Sequence, residues 1–120
     1  RILYTCTSTI LYMKRILGEW HGRKTIPLLA SGECIITFCE DGTAKANGKV
    51  KILGDTMNVS ADDICWEHCG ENRFVGKYRD YQIEFIIQNG CLKTTVNPYK
   101  LGAVTNPKYD MNIPLEMKRR

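Results

Sequence analysis

No apolar run in this 120-residue chain approaches the roughly 18 residues that a membrane-spanning helix requires, and the sequence therefore predicts a soluble domain. Internal repeats, low-complexity tracts and linkers are also missing, which excludes a repeat array and a two-domain layout. There is no phosphate-binding glycine loop. Gly18-Glu19-Trp20-His21-Gly22 has the wrong spacing and leads into a strand, where such a loop should open a helix. An excess of one charge is lacking too: the net charge is +4, and Lys118, Arg119 and Arg120 supply three of the positive charges. Without that tail the balance is close to neutral, so charge alone gives no reason to expect affinity for nucleic acid or membranes.

What remains is an ordinary globular composition, 43% hydrophobic and 25% charged, on a chain long enough to bury one core but not two. Residues 1–120 are read as one domain, with an N-terminal helical segment over residues 1–18 and a β-domain over residues 19–118. Ser8 can cap a run in which Ile10, Met13 and Leu17 recur at helical spacing, and Gly18 is a stop; a helix is expected over residues 9–17. From Glu19 the period changes to two. Trp20–Leu29 reads as a strand whose Pro27 marks an edge or bulge, followed by a turn at Ala30–Gly32. In Glu33–Cys39 the side chains of Cys34, Ile36 and Phe38 share one face. Asp41-Gly42 predicts a tight primed turn.

Beyond it, Lys49-Val50-Lys51-Ile52 alternates polar and apolar side chains. Phe74, Gly76 and Tyr78 then oppose Val75, Lys77 and Arg79, and Ile83, Phe85 and Ile87 form the inward row of Tyr81–Gln88. Asn89-Gly90 turns the chain into Cys91–Val96, and a last strand is expected over Asn112–Met117 with Pro114 at an edge or bulge. One segment resists this pattern: in residues 60–70, Ser60 and Asp63 resemble a capping box with a glycine at the stop, which predicts a second short helix over residues 61–69.

Many short strands joined by tight turns indicate a sandwich or a barrel. Glycines at 18, 22, 48, 54 and 76 favour a barrel, whose corners need backbone without side chains. The predicted fold is mainly β: a closed antiparallel up-and-down β-barrel of about eight strands with a short N-terminal helix.

The triplet Gly18-Glu19-Trp20, placed where a short helix enters the first strand, resembles the Gly-x-Trp signature of the calycin superfamily, which includes lipocalins and fatty-acid-binding proteins. Arg79-Asp80-Tyr81 is similar to the Thr-Asp-Tyr motif of lipocalins, with Arg79 departing at the first position. The resemblance implies that Gly18 and Trp20 are structural, with the tryptophan packed across the closed end beneath a basic side chain from near the C-terminus. It also implies a barrel able to hold a small ligand.

Six cysteines, at positions 6, 34, 39, 65, 69 and 91, fit either three disulfides of a secreted domain or free thiols of a cytoplasmic one. The sequon Asn58-Val59-Ser60 is too short a signal to choose, and free thiols are preferred because Cys34 and Cys91 sit in apolar or alternating runs. Cys65, His68 and Cys69 offer soft metal ligands within five residues, and a helix would gather them, yet a fourth ligand and a Cys-x-x-Cys spacing are absent. Buried thiols or a disulfide are preferred there, and no metal or cofactor is expected. Nothing pairs either histidine with a cysteine nucleophile, and the acids Asp80 and Glu84 need no more than a charged outer face; an enzyme is not expected.

The expected function is non-enzymatic binding of a small apolar or amphipathic molecule inside the barrel, with Ile36, Phe38, Val50, Ile52, Phe74, Tyr78, Phe85 and Ile87 as the wall. Two alternatives stand beside it. Lys49, Lys51, Lys77, Arg79 and Lys93 on the outer faces would suit an OB-like barrel that binds single-stranded nucleic acid, although the aromatics needed for stacking lie on the inward rows. The proline-punctuated apolar stretch Asn97–Asn112 would suit either a cover over the barrel mouth or a surface that docks a protein partner.

Overall fold

The computed structural model describes residues 14–27, 30–52, 54–102 and 105–119. Eight strands follow one another around a closed barrel, each antiparallel to the next. They are β1 (Gly18–Ile26), β2 (Ala30–Phe38), β3 (Thr43–Ile52), β4 (Asp55–His68), β5 (Arg73–Tyr78), β6 (Tyr81–Gln88), β7 (Cys91–Val96) and β8 (Ile113–Arg119). Two short helical turns, α1 (Pro98–Leu101) and a 3-10 turn (Pro107–Tyr109), lie between β7 and β8. β8 closes the circle on β1 through Trp20↔Arg119, His21↔Lys118 and Gly22↔Met117. This is the mainly β, up-and-down architecture that period-two patterning predicts.

The alternation works because each strand has one wet and one packed face. In β6 the sequence Tyr-Gln-Ile-Glu-Phe buries Ile83 and Phe85 and exposes Gln82 and Glu84. The turns obey local chemistry as well. Arg79 (φ 55) and Asn89 (φ 54) both sit in the left-handed region of two-residue connections. The Asp41-Gly42 hairpin is where it was expected but is not a tight primed turn. The Gly42 amide donates to Cys39 O and the Cys39 amide donates to Thr43 O, a longer loop in which the Asp41 carboxylate accepts from the amide and hydroxyl of Thr43.

Three further expectations are corrected. Residues 61–69 do not form a helix, because all but the last belong to β4. Ala44 faces Ile64 and Ala46 faces Ala61, so β4 spends three steps against two on β3, and the surplus residue sits at the exposed Asp62-Asp63 pair. That bulge moves the inward face from odd positions (Val59, Ala61) to even ones (Ile64, Trp66). Ala30–Gly32 is the first part of β2, and the chain turns earlier, after β1 ends at Ile26 and leaves Pro27 outside the ladder. Asn97–Asn112 is not irregular throughout: Asn97 caps α1, with Pro98 in the first turn and Gly102 left-handed behind it. Of the expected N-terminal helix, Lys14–Ile16 are helical, and residues 9–13 lie outside the described residues.

These corrections bear on the OB-like alternative. Its scaffold is a five-stranded barrel with a helix after the third strand; this barrel has eight strands in sequence order and a strand at residues 61–68.

Candidate functional site

The two ends of the barrel are built differently. At the end where β1 begins, Trp20 is 1% exposed and donates its indole N–H to Ile16 O at 2.8 Å, tying the helical residues before Gly18 across the base. Gly18 (φ +105) makes the corner that only glycine takes without strain. Gly22 leaves room for Met117, whose Cγ stands 2.8 Å from where a Cβ would be. Arg119 lies over the indole face, 4.5 Å from the ring centre, and donates to the carbonyls of Leu17 and Arg15. The barrel end is thus plugged by an indole capped with a guanidinium.

Above this plug comes an aromatic layer. Phe38 meets Trp66 and Phe85 edge-on, at centroid distances of 5.9 and 5.2 Å, and Trp66 meets Phe74 at 6.0 Å. Trp66 donates its indole N–H to both Cys39 O and Thr43 O. Placed on a helix by the sequence reading, Trp66 is instead a second indole sealing the same half. With Ile16, Leu92 and Met117 the layer makes this half solid.

The other half is hollow. A cavity of about 250 Å³ lies over Ile36, Ile64, Ile83 and Phe85. It exists because the inward rows of β2, β3 and β4 carry small residues at this height: Ala30, Gly32, Cys34, Ala46, Gly48 and Ala61. Of the eight expected wall residues, Ile36, Val50, Ile52, Tyr78 and Phe85 line the cavity. Phe38 and Phe74 are buried in the aromatic layer below, and Ile87 packs against the core on the side away from the cavity. The small residues are the part of the wall that sequence reasoning passed over.

The stretch Asn97–Asn112 crosses the mouth, where Pro98, Leu101, Gly102, Tyr109 and Met111 face the cavity. Asn97, 2% exposed, fixes this strap. Its side-chain oxygen accepts from the amides of Tyr99 and Lys100, its Nδ2 donates to Asp110 and Asn112, and its own amide donates to the Tyr81 hydroxyl. One buried residue therefore joins both ends of the strap through its side chain and ties them to the barrel through its amide. The Asp80-Tyr81 turn lies at this mouth, so the two stretches that carry the calycin resemblance sit at opposite ends of the barrel.

The lining is apolar, and among the described lining residues only Lys24 and Glu33 bear charge. Glu33 pairs with Arg23 at 3.1 Å on the exposed outer face of β1 and β2. Cys34 is the thiol in the wall, and burial pushes it up from 9.0 to about 11. The folded chain keeps this thiol neutral while the unfolded chain ionises it above pH 9.0, so its contribution is fully present below that pH. Stability is expected to fall as the pH rises from 9.0 towards 11. Cys91 titrates high as well, because it hydrogen-bonds the Glu116 carboxylate. Urea unfolding of wild type and Cys34→Ala across that window isolates the Cys34 share: the variant's alkaline decline should be the shallower.

The cysteine–histidine stretch is not gathered. Cys65 and Cys69 are exposed, whereas His68 packs on Phe74 at 5.1 Å. Among the described residues no group of three His, Cys, Asp or Glu side chains could hold a metal ion, and Cys34, Cys39, Cys65, Cys69 and Cys91 are all free thiols. Among them, too, no helix is long and apolar enough to cross a membrane. The chain matches no family model, no curated protein and no solved structure.

Proposed function

We propose that this chain binds a small apolar or amphipathic molecule in the hollow half of a calycin-like barrel, without chemistry on the ligand. The observation that carries the reading is the 250 Å³ apolar cavity standing directly on a close-packed aromatic floor. A barrel of this strand number either fills its interior or holds one small ligand, and here the two options divide the same cylinder. The sealed end supports the calycin-like part of the reading, since the expected basic side chain over the tryptophan is Arg119.

Cavity size sets the ligand. A 150 Å³ apolar cavity holds benzene, and in proportion 250 Å³ takes about ten non-hydrogen atoms. The lining offers no buried charge to pair with an ionic group, so any polar head belongs at the mouth. Isothermal titration with straight-chain alcohols tests the proposal. Affinity should rise about fourfold per added methylene, the factor that corresponds to about 0.8 kcal/mol of burial, and level off once the chain exceeds about ten heavy atoms. A series with no saturable heat, or one whose affinity climbs without a plateau, rejects it.

A further inference from the structure

Among the described residues, β4 between Asp55 and Ile64 is paired on one edge only. Its ladder with β3 runs from Ile52↔Asp55 to Thr43↔Cys65, whereas β5 meets it only from Cys65↔Lys77 to His68↔Phe74, because the β5–β6 hairpin turns back at Arg79-Asp80. The Trp66 amide donates to Gly42, on the β3 side. Strand alternation then places the backbone groups of the outward-facing residues on the other edge, so Thr56, Asn58 and Ser60 present theirs to solvent. All three residues are exposed. The segment between Asp55 and Asp62 contains no charge, proline or glycine, and it is the kind of bare edge that templates strand pairing.

We propose that this edge pairs with the same edge of a second copy, antiparallel across a twofold axis at Asn58. The register follows from the strand itself, because a continuous sheet must set outward residues opposite outward residues. With the axis at Asn58, that residue faces its own copy, Thr56 faces Ser60, and Asp55 faces Ala61. Each outward pair exchanges both of its N–H···O=C bonds, and no carboxylate stands directly opposite another. Neighbouring registers are worse. An axis at Val59 sets Asp55 against Asp63, an axis at Ser60 runs into the bulge at Asp62-Asp63, and an axis at Met57 or Thr56 runs off the strand at Gly54, with Met57 leaving Ser60 opposite that glycine. A second copy is therefore the occupant that this short neutral edge fits, and the interface is isologous and self-limiting. The inference rests on backbone pairing alone and is independent of the ligand reading.

Sedimentation velocity under reducing conditions, which keep the exposed Cys65 and Cys69 from cross-linking, tests it. The protein is expected to pass from monomer to dimer between micromolar and submillimolar concentration. Asn58→Pro should weaken the dimer about thirtyfold by removing both backbone bonds at the axis, at an edge position where proline does not disturb the chain's own ladder. Asn58→Lys, which leaves the backbone intact and opposes two like charges, should weaken it about fivefold. Asn58→Thr should leave it unchanged. A monomer at every concentration, an assembly larger than a dimer, or a dimer indifferent to Asn58→Lys would each overturn the proposal.

Discussion

Trp20→Ala is expected to lower folding stability by about 3–5 kcal/mol, the usual cost of deleting a fully buried large aromatic side chain. The loss has three sources. The indole fills the converging base of the barrel, its N–H is the hydrogen bond that docks the helical residues before Gly18, and its face is the surface on which Arg119 rests. Removing it strands the Ile16 carbonyl and leaves the guanidinium bonded only to backbone. Because small domains have about 5–15 kcal/mol in total, the variant should be folded but marginal. Arg119→Ala, which leaves the plug in place, should cost only about 1 kcal/mol. Urea unfolding followed by the fluorescence of Trp66 measures both, since that indole lies in the aromatic layer and stays in each variant. Equal losses from the two substitutions would show that the plug is not the indole itself.

The inward rows were legible in the sequence because a half-buried strand leaves a period of two, and the structure keeps Cys34-x-Ile36-x-Phe38, Phe74-x-Gly76-x-Tyr78 and Ile83-x-Phe85 on the inner face. The alternation says which side of the sheet a residue takes; it does not say how high along the barrel axis the residue sits. That height depends on the stagger between strands, and for this reason the alternation does not separate Phe38, Phe74 and Ile87 from Ile36 and Phe85, of which only the latter two face the cavity. The helix expected over residues 61–69 has a definite physical origin. Ser60, Asp63 and Gly70 carry the polar cap and the glycine stop of a helix, whereas in the fold Asp62 and Asp63 mark the exposed bulge and Gly70 lies in the turn after β4. The cavity itself has a signal in the sequence. Ala30, Gly32, Cys34, Ala46, Gly48 and Ala61 all fall on inward rows, and small side chains clustered on three adjacent strands mean missing volume. Taken one at a time, Gly32 reads as part of a turn and Gly48 as a barrel corner, and only their shared height on adjacent strands shows the void.

That missing volume gives the second large effect. Ala46→Phe is expected to weaken binding of the longest well-fitting alcohol by at least about 100-fold, because a phenyl ring occupies roughly 150 Å³ and the cavity holds about 250 Å³. About six ligand carbons would lose their place at about 0.8 kcal/mol each, far more than the tenfold that 1.4 kcal/mol represents. Stability should move the other way or stay level. Burying the new ring contributes about 1.5–3 kcal/mol, offset by packing strain of about 1–3 kcal/mol against the neighbouring walls. Weaker binding at unchanged stability is the signature that separates filling a real void from damaging the fold. A variant that is folded but clearly destabilised, with ligand affinity unchanged, would mean that Ala46 packs against protein atoms and not against empty space. Short alcohols provide the internal control, since the roughly 100 Å³ left above the ring still accepts about four heavy atoms, and their affinity should fall much less than that of the long ones.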